Sequence, residues 1–207
     1  MFKVLKKGCE PTRGTKYSAC IDLYAAEDVV IGVGKTKVIG LGVCIDLEKL
    51  KDNEIFQSIQ FSDCEDCDFS FNKDLFEKFL LSHYIELDPR SSLRGKSLVV
   101  GVGKIDLDYP DELKLIVHNP FTFRTVANVA IQWINKVLPI VGTDLFPYLK
   151  VKKEGFDETG AFAVNKAVGN KKASKIAQIT MLEHQSYLFG IDTEVERISG
   201  IGSTDEH

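Results

Sequence analysis

Basic charge is in short supply in this chain. It sets 26 lysines and arginines against 30 aspartates and glutamates, a formal net charge of −4 with histidine neutral. A protein that tracks a nucleic-acid backbone needs a basic face to displace counterions, so nucleic acid is not an expected partner, and any phosphate bound is small and locally held. Long apolar runs are missing as well. None approaches the roughly 20 residues that cross a bilayer, and Met1–Lys7 lacks the apolar h-region of a signal peptide. No membrane partner is expected, and the expected location is cytoplasmic. Cysteine is sparse: Cys9, Cys20, Cys44, Cys64 and Cys67 are odd in number and scattered, which suggests reduced thiols. Cys64 and Cys67 have the C-x-x-C spacing of half a zinc site, but no second Cys/His pair follows at ligand spacing, and one pair cannot fill a tetrahedral shell. A solvent-facing acidic loop is the expectation there. No internal repeat is present.

What the chain does have is an ordinary globular composition, 44% hydrophobic and 27% charged over 207 residues, enough for one domain with a sizeable core or one domain with insertions. The first hundred residues read as β. From Ile39 to Leu47 the odd positions are apolar, the period of a half-buried strand. Val29–Ile31 is a short strand closed by Gly32 and Gly34. Asp22 is a single acid inside the apolar run Ser18–Ala26, and a lone buried acid needs a partner.

Between about 48 and 87 the pattern changes. Leu75, Phe76, Phe79, Leu80 and Tyr84 fall on one helical stripe, and His83 on that helix reads as a surface or packing residue. A second excursion spans about 120–173. In it Val126, Val129, Ala130, Trp133, Ile134, Val137 and Leu138 keep a helical period that Pro139 ends, so the single tryptophan reads as packing. Strand character returns at 174–183, with Gln178 a polar side chain in an apolar run.

Chemistry is expected in Gly101–Glu112, a hairpin-like run between the apolar segments Ser97–Val102 and Leu113–Val117 that contains Asp106, Asp108 and Tyr109. A carboxylate packed against apolar strands is a candidate general base, because partial burial raises its pKa and a fixed backbone aims it. Asp, Pro and Gly are also turn formers, so a purely structural turn remains open at this point. Upstream, Arg90-Ser91-Ser92 offers a forked cation and two hydroxyls, a donor set suited to phosphate.

Five short pieces stand in one order along the chain: Ala19–Tyr24, Pro89–Leu93, Gly103–Tyr109, Lys175–Ile179 and Gly200–Thr204. Together they resemble the five motifs of the trimeric deoxyuridine triphosphatase (dUTPase) family. The resemblance covers most of the β scaffold and neither excursion. It implies a mainly β fold, a distorted jelly-roll or β-clip barrel with short helices in the insertions. It also implies a single domain over 1–207, with insertions at about 48–87 and 120–173 and a flexible C-terminal lid at 197–207. The implied activity is hydrolysis of dUTP to dUMP and pyrophosphate with Mg²⁺, by a homotrimer whose active sites are shared between subunits.

Carried over position by position, the resemblance makes Asp106 the acid that activates water. Tyr109 becomes the ring under the deoxyribose that leaves no room for a 2′-hydroxyl. The base would lie against the main chain of Val100 to Lys114, with Val100, Gly103, Lys104, Ile105 and Lys114 around it. Arg90, Ser91, Ser92 and Gln178 match phosphate contacts, Asp22 an acid that supports the metal through water, and Arg197, Ile201, Gly202 and Ser203 the closing tail. Ile201 stands where the family has a stacking phenylalanine, so base–aromatic stacking is lost. Arg197 also sits one residue closer to that position than in the family pattern. A related family on the same scaffold deaminates dCTP with a glutamate at the position of Ile116, and an aliphatic side chain cannot shuttle protons. A nucleotide-sensing or partner-binding protein that kept the pocket, and a pyrophosphatase for another deoxynucleoside triphosphate such as dCTP, are the other readings.

Overall fold

A computed structural model describes residues 1–60, 68–121, 127, 130, 156–157, 160–167 and 173–190, with side chains for all of these except 58–60 and 68–70. The strands are β1 (Phe2–Val4), β2 (Thr12–Arg13), β3 (Ile21–Tyr24), β4 (Val29–Ile31), β5 (Lys35–Gly40), β6 (Val43–Ile45), β7 (Gln57–Gln60), β8 (Asp68–Phe71), β9 (His83–Pro89), β10 (Val99–Val100), β11 (Gly103–Asp106), β12 (Lys114–Asn119), β13 (Phe162–Val164) and β14 (Lys175–Glu183). The helices are α1 (Leu47–Lys51), α2 (Lys73–Ser82) and α3 (Ser91–Arg94).

The sheet that matters for chemistry has five strands in the order β11-β9-β14-β3-β2. Neighbouring strands are antiparallel, so residues opposite one another share a face. One face is apolar: Ile105, Ile85 and Met181 form one row, and Gly103, Leu87, Ile179 and Ile21 the next. Ile85, Leu87 and Ile179 are buried in the main core with Leu23, Leu107 and Leu113. The other face carries the polar side chains. Its rows are Asp106–Tyr84–Leu182, Lys104–Glu86–Thr180 and Asp88–Gln178–Asp22–Thr12. Buried aliphatics on one side and half-exposed polar groups on the other give β9 and β14 their alternation.

A three-stranded sheet, β10-β12-β5, covers the core from a second direction. The two apolar segments that flank Gly101–Glu112 do pair antiparallel, Val99 opposite His118 and Val100 opposite Val117, as a hairpin-like run requires. The run between them departs from a simple hairpin: β11 pairs with β9, whereas β12 pairs with β10 and β5. The chain changes sheets between Asp106 and Lys114. The expected barrel does not close; the sheets remain separate, and among the described residues the five-stranded one ends on the edges β11 and β2.

The stretch from Ile39 to Leu47 is likewise not one strand. It breaks at Gly42, which adopts φ +67°, and Leu47 opens α1. The break is held from across the core. Glu112 Oε1 accepts the Gly42 N–H at 2.7 Å, and the Leu113 N–H donates to Val43 O at 2.8 Å. Gly40 makes room for that carboxylate, since a Cβ there would lie 2.6 Å from Glu112 Oε1.

The first excursion builds its own small core. Phe56 packs edge-on against Phe76 and Phe79, with centroids 5.1 Å away in each case, and Leu50 joins them. Helix α2 forms as the stripe predicts, but Leu75 is exposed and Tyr84 lies in β9. Residues 83–87 run in β9 rather than in the excursion. Tyr84 fits a helical spacing from Leu80 and equally the period of two in β9, where its neighbours Ile85 and Leu87 are buried. His83 stacks on Phe79 at 4.1 Å, a packing role. The expected helix around Trp133 lies outside the described residues except for Ala127 and Ala130, both helical. Cys64 and Cys67 also lie outside them.

Candidate active site

Asp22 is the most constrained ionisable group on the polar face. Its residue is 8% exposed in the middle of β3, flanked by Leu23 and Ile21. Burial of an unpaired carboxylate is expensive, and the sequence alone demanded a partner. The structure supplies two. Lys175 Nζ donates to Asp22 Oδ2 at 2.9 Å, and Arg90 Nη1 lies 3.2 Å from the same oxygen. The bond to Asp22 pushes the Lys175 ammonium above its ordinary pKa, against a smaller lowering by desolvation.

Each cation arrives on a fixed backbone. Arg90 follows β9; its N–H donates to Ile176 O at 3.1 Å, while its carbonyl accepts from Leu93 and Arg94 at the start of α3. Lys175 opens β14 opposite Tyr24, with Nζ 5.6 Å from that ring centroid. The Tyr24 hydroxyl is tied to Thr12 Oγ1 at 2.6 Å. Gln178 lies between Asp22 and Asp88 in the same row, and Asp88 takes a bond from Arg94 Nη2 at 2.9 Å. Ser91 and Ser92 are exposed on the first turn of α3. The structure thus brings Asp22, Arg90, Ser91, Ser92 and Gln178 into one neighbourhood. Lys175, Asp88 and Arg94 join them without having been singled out from the sequence. The signal for Lys175 was the need of Asp22 for a cation.

The hairpin residues form a second group. Asp106 is exposed at the end of β11, opposite Tyr84, and Lys104 is exposed with Nζ 5.6 Å from the Tyr84 ring centroid. Gly103, Ile105, Val100 and Lys114 are half-buried. Tyr109 is 7% exposed and belongs to the core cluster, so only a small part of its ring is open to a ligand. Arg197, Ile201, Gly202 and Ser203 lie outside the described residues.

The two groups do not meet within one chain. Asp106 is level with Tyr84, and Arg90 lies six residues further along the same strand direction. At about 3.3 Å per residue this separates them by about 20 Å. Arg90 also turns its side chain the other way, toward β3.

No family model matches the sequence, and no curated protein does. Solved structures do match over nearly the whole chain. The dUTPase from phage phi11 of S. aureus, solved to visualise its species-specific insert, has a TM-score of 0.50 at 17% identity, covering 98% of this chain and 97% of that one. The dUTPase of Staphylococcus bacteriophage 80alpha with dUpNHpp has a TM-score of 0.50 at 17% identity, covering 100% and 94%. The chain has the dUTPase fold. At such identity the likeness is one of backbone, and side-chain roles must come from this chain's own geometry.

Another phi11 dUTPase structure, with a TM-score of 0.50 at 16% identity and coverage of 97% of both chains, concerns the coordination of a structural Mg(II) ion. On the dUTPase scaffold of this chain, no three His, Cys, Asp or Glu side chains come together as a metal cage among the described residues. Asp22, the acid expected to support the metal through water, instead shares one oxygen with two cations. These residues do not fit a resident magnesium site. Among the described residues no helix is long and apolar enough to cross a membrane.

Proposed function

We propose that this protein hydrolyses dUTP to dUMP and pyrophosphate in a homo-oligomer, most simply a trimer, whose active sites are shared between subunits. The observation that carries the reading is that one polar sheet face carries Arg90 and Lys175 around Asp22, with Gln178 beside them, at one end and Asp106, next to Lys104, at the other. Cleavage of a phosphoanhydride needs charge neutralisation on the phosphates, a positioned water and little covalent help from protein. The cationic end suits the phosphates and the carboxylate suits the water. Their separation of about 20 Å along β9 supports a site completed by the Asp106 end of a neighbouring copy.

In this reading Asp106 takes the proton of the water that attacks the α-phosphorus, and the bond from that phosphorus to the bridging oxygen breaks, releasing pyrophosphate. Arg90, Ser91, Ser92 and Gln178 hold the phosphates. The main chain of Val100, Gly103, Lys104, Ile105 and Lys114 lines the base, and Tyr109 restricts the sugar. Arg197, Ile201, Gly202 and Ser203 close the site. Mg²⁺, if it takes part, would come with the substrate rather than be held by residues of this chain, and would supply charge neutralisation on the phosphates.

The test is pyrophosphate release from a panel of deoxynucleoside triphosphates and from UTP. Preference for dUTP is the expected result, and no release from any nucleotide rejects the reading. Asp106→Asn keeps the size of the side chain and cannot accept a proton, so turnover is expected to fall by about 10²–10⁴ with binding of dUpNHpp retained. A structural turn aspartate would leave turnover per folded molecule near the parent value, because asparagine is also a good turn residue.

A further inference from the structure

Asp22 sits against two cations on one of its oxygens, and two positive charges against one negative leave a surplus positive charge at that end of the sheet. A buried carboxylate whose sole task was to neutralise one arginine would not need the second cation. Lys175 is also the more accessible partner: 36% of its side chain is exposed, against 11% for that of Asp22. Its Nζ lies 5.6 Å from the centroid of the Tyr24 ring, whose hydroxyl is itself tied to Thr12. We propose that Lys175, Asp22 and Arg90 form a preorganised polyphosphate clamp, in which Lys175 is a second phosphate-binding cation and Asp22 is the positioning residue that aims both cations.

This inference rests on the dUTP reading for its substrate, and deepens it by assigning Lys175 and replacing the metal-supporting role expected of Asp22. Two long cationic side chains lose rotamer freedom when they bind an anion. A shared buried carboxylate settles that ordering before the ligand arrives, the general route by which preorganisation raises affinity. The surplus charge then faces solvent with its remaining donors, at most two of the three on the ammonium and those on the guanidinium not turned to Asp22. Gln178, in the next position of the row, adds a neutral donor beside them.

Two simple alternatives make opposite forecasts. If only net charge matters, Asp22→Asn adds one positive unit to the cluster and tightens anion binding. If Asp22 positions the cations, the same change weakens binding although the cluster has become more positive.

The test is calorimetric binding of inorganic tripolyphosphate to the full chain, in chelator and without divalent cations, with thermal unfolding of each variant as the fold control. Lys175→Gln is expected to weaken binding about tenfold or more, the worth of one charge-assisted hydrogen bond, and Lys175→Arg to recover most of it. Asp22→Asn is expected to weaken binding as well. Should Asp22→Asn fail to fold, Lys175→Gln and Lys175→Arg still decide, because Asp22 keeps its Arg90 partner in both. In dUTP hydrolysis, Lys175→Gln is expected to raise KM more than it lowers kcat. The clamp is refuted if the parent does not bind tripolyphosphate, if Lys175→Gln binds it like the parent, or if Asp22→Asn binds it more tightly. The two readings separate cleanly. A parent that binds tripolyphosphate through Lys175 but releases no pyrophosphate from dUTP keeps the clamp and loses the hydrolysis. A parent that hydrolyses dUTP with Lys175→Gln unchanged in KM and in tripolyphosphate binding loses the clamp alone.

Discussion

Mixing two inactive chains is the most direct consequence of the geometry. Asp106→Asn removes the proposed base and Arg90→Gln the phosphate cation, and each variant alone should be nearly inactive. Within one chain these positions are about 20 Å apart along β9, at about 3.3 Å per residue over six residues. The base must lie within hydrogen-bond reach of the water, and that water within about 3–3.5 Å of the α-phosphorus, while the arginine must still touch the same triphosphate. Arg90 spends its reach toward Asp22 on β3, away from β11. In the proposed shared site the two residues come from two copies. In a ring of identical head-to-tail interfaces, random one-to-one mixing gives each interface a chance of about one in four of joining an intact Asp106 to an intact Arg90. About a quarter of parental activity should return.

A second mixture sharpens the result. Parent chains mixed one-to-one with the double variant should retain about a quarter of parental activity if sites are shared, and about half if each site lies within one chain. The assay is pyrophosphate release after co-refolding, with native mass spectrometry to verify mixed oligomers. Mixed oligomers without recovered activity would refute the shared site, as would an active monomer.

Two further outcomes test the packing that holds the site. Gly40→Ala puts a Cβ about 2.6 Å from Glu112 Oε1 and should displace the carboxylate from the Gly42 N–H. A loss of about 1–3 kcal/mol by urea unfolding is expected, the cost of overpacking and of an unsatisfied buried donor, and an unchanged midpoint would contradict it. Burial, followed by the neighbouring Glu10, pushes the Cys9 thiol above its ordinary value of 9.0. A raised folded-state pKa contributes stability that is intact below the unfolded pKa and lost as pH rises toward the folded one. Stability should thus decline more steeply above about pH 9 in the parent than in Cys9→Ala, and parallel pH profiles would exclude the effect. The raised pKa of Lys175 costs stability only as pH climbs past 10.5, and it is common to the parent and Cys9→Ala, so it cancels in their comparison.

Local chemistry was legible from residue order because it depends on neighbours. Strand character at 174–183 was legible as β14, and the stripe over Leu75–Leu80 specified α2, whereas the alternation of β9 was hidden because Tyr84 also fits the helical spacing of that stripe. A single acid among Ile21, Leu23 and Tyr24 required a compensating charge before any partner was known. The ordered motif pieces pointed to the scaffold that the backbone adopts. Alternation does not specify register or sheet membership, however, because a strand of period two can pair with any complementary edge. Only the tertiary pairing set Gln178 beside both Asp22 and Asp88, and only it delivered Lys175 to the acid from a strand more than 150 positions away. Pairing likewise sent β11 and β12 into different sheets, although they flank one short turn-rich run. That split leaves Asp106 far from Arg90. The residue types in the motifs therefore say what the chemistry requires, and only the tertiary pairing decided that Asp106 and Arg90 lie about 20 Å apart along β9.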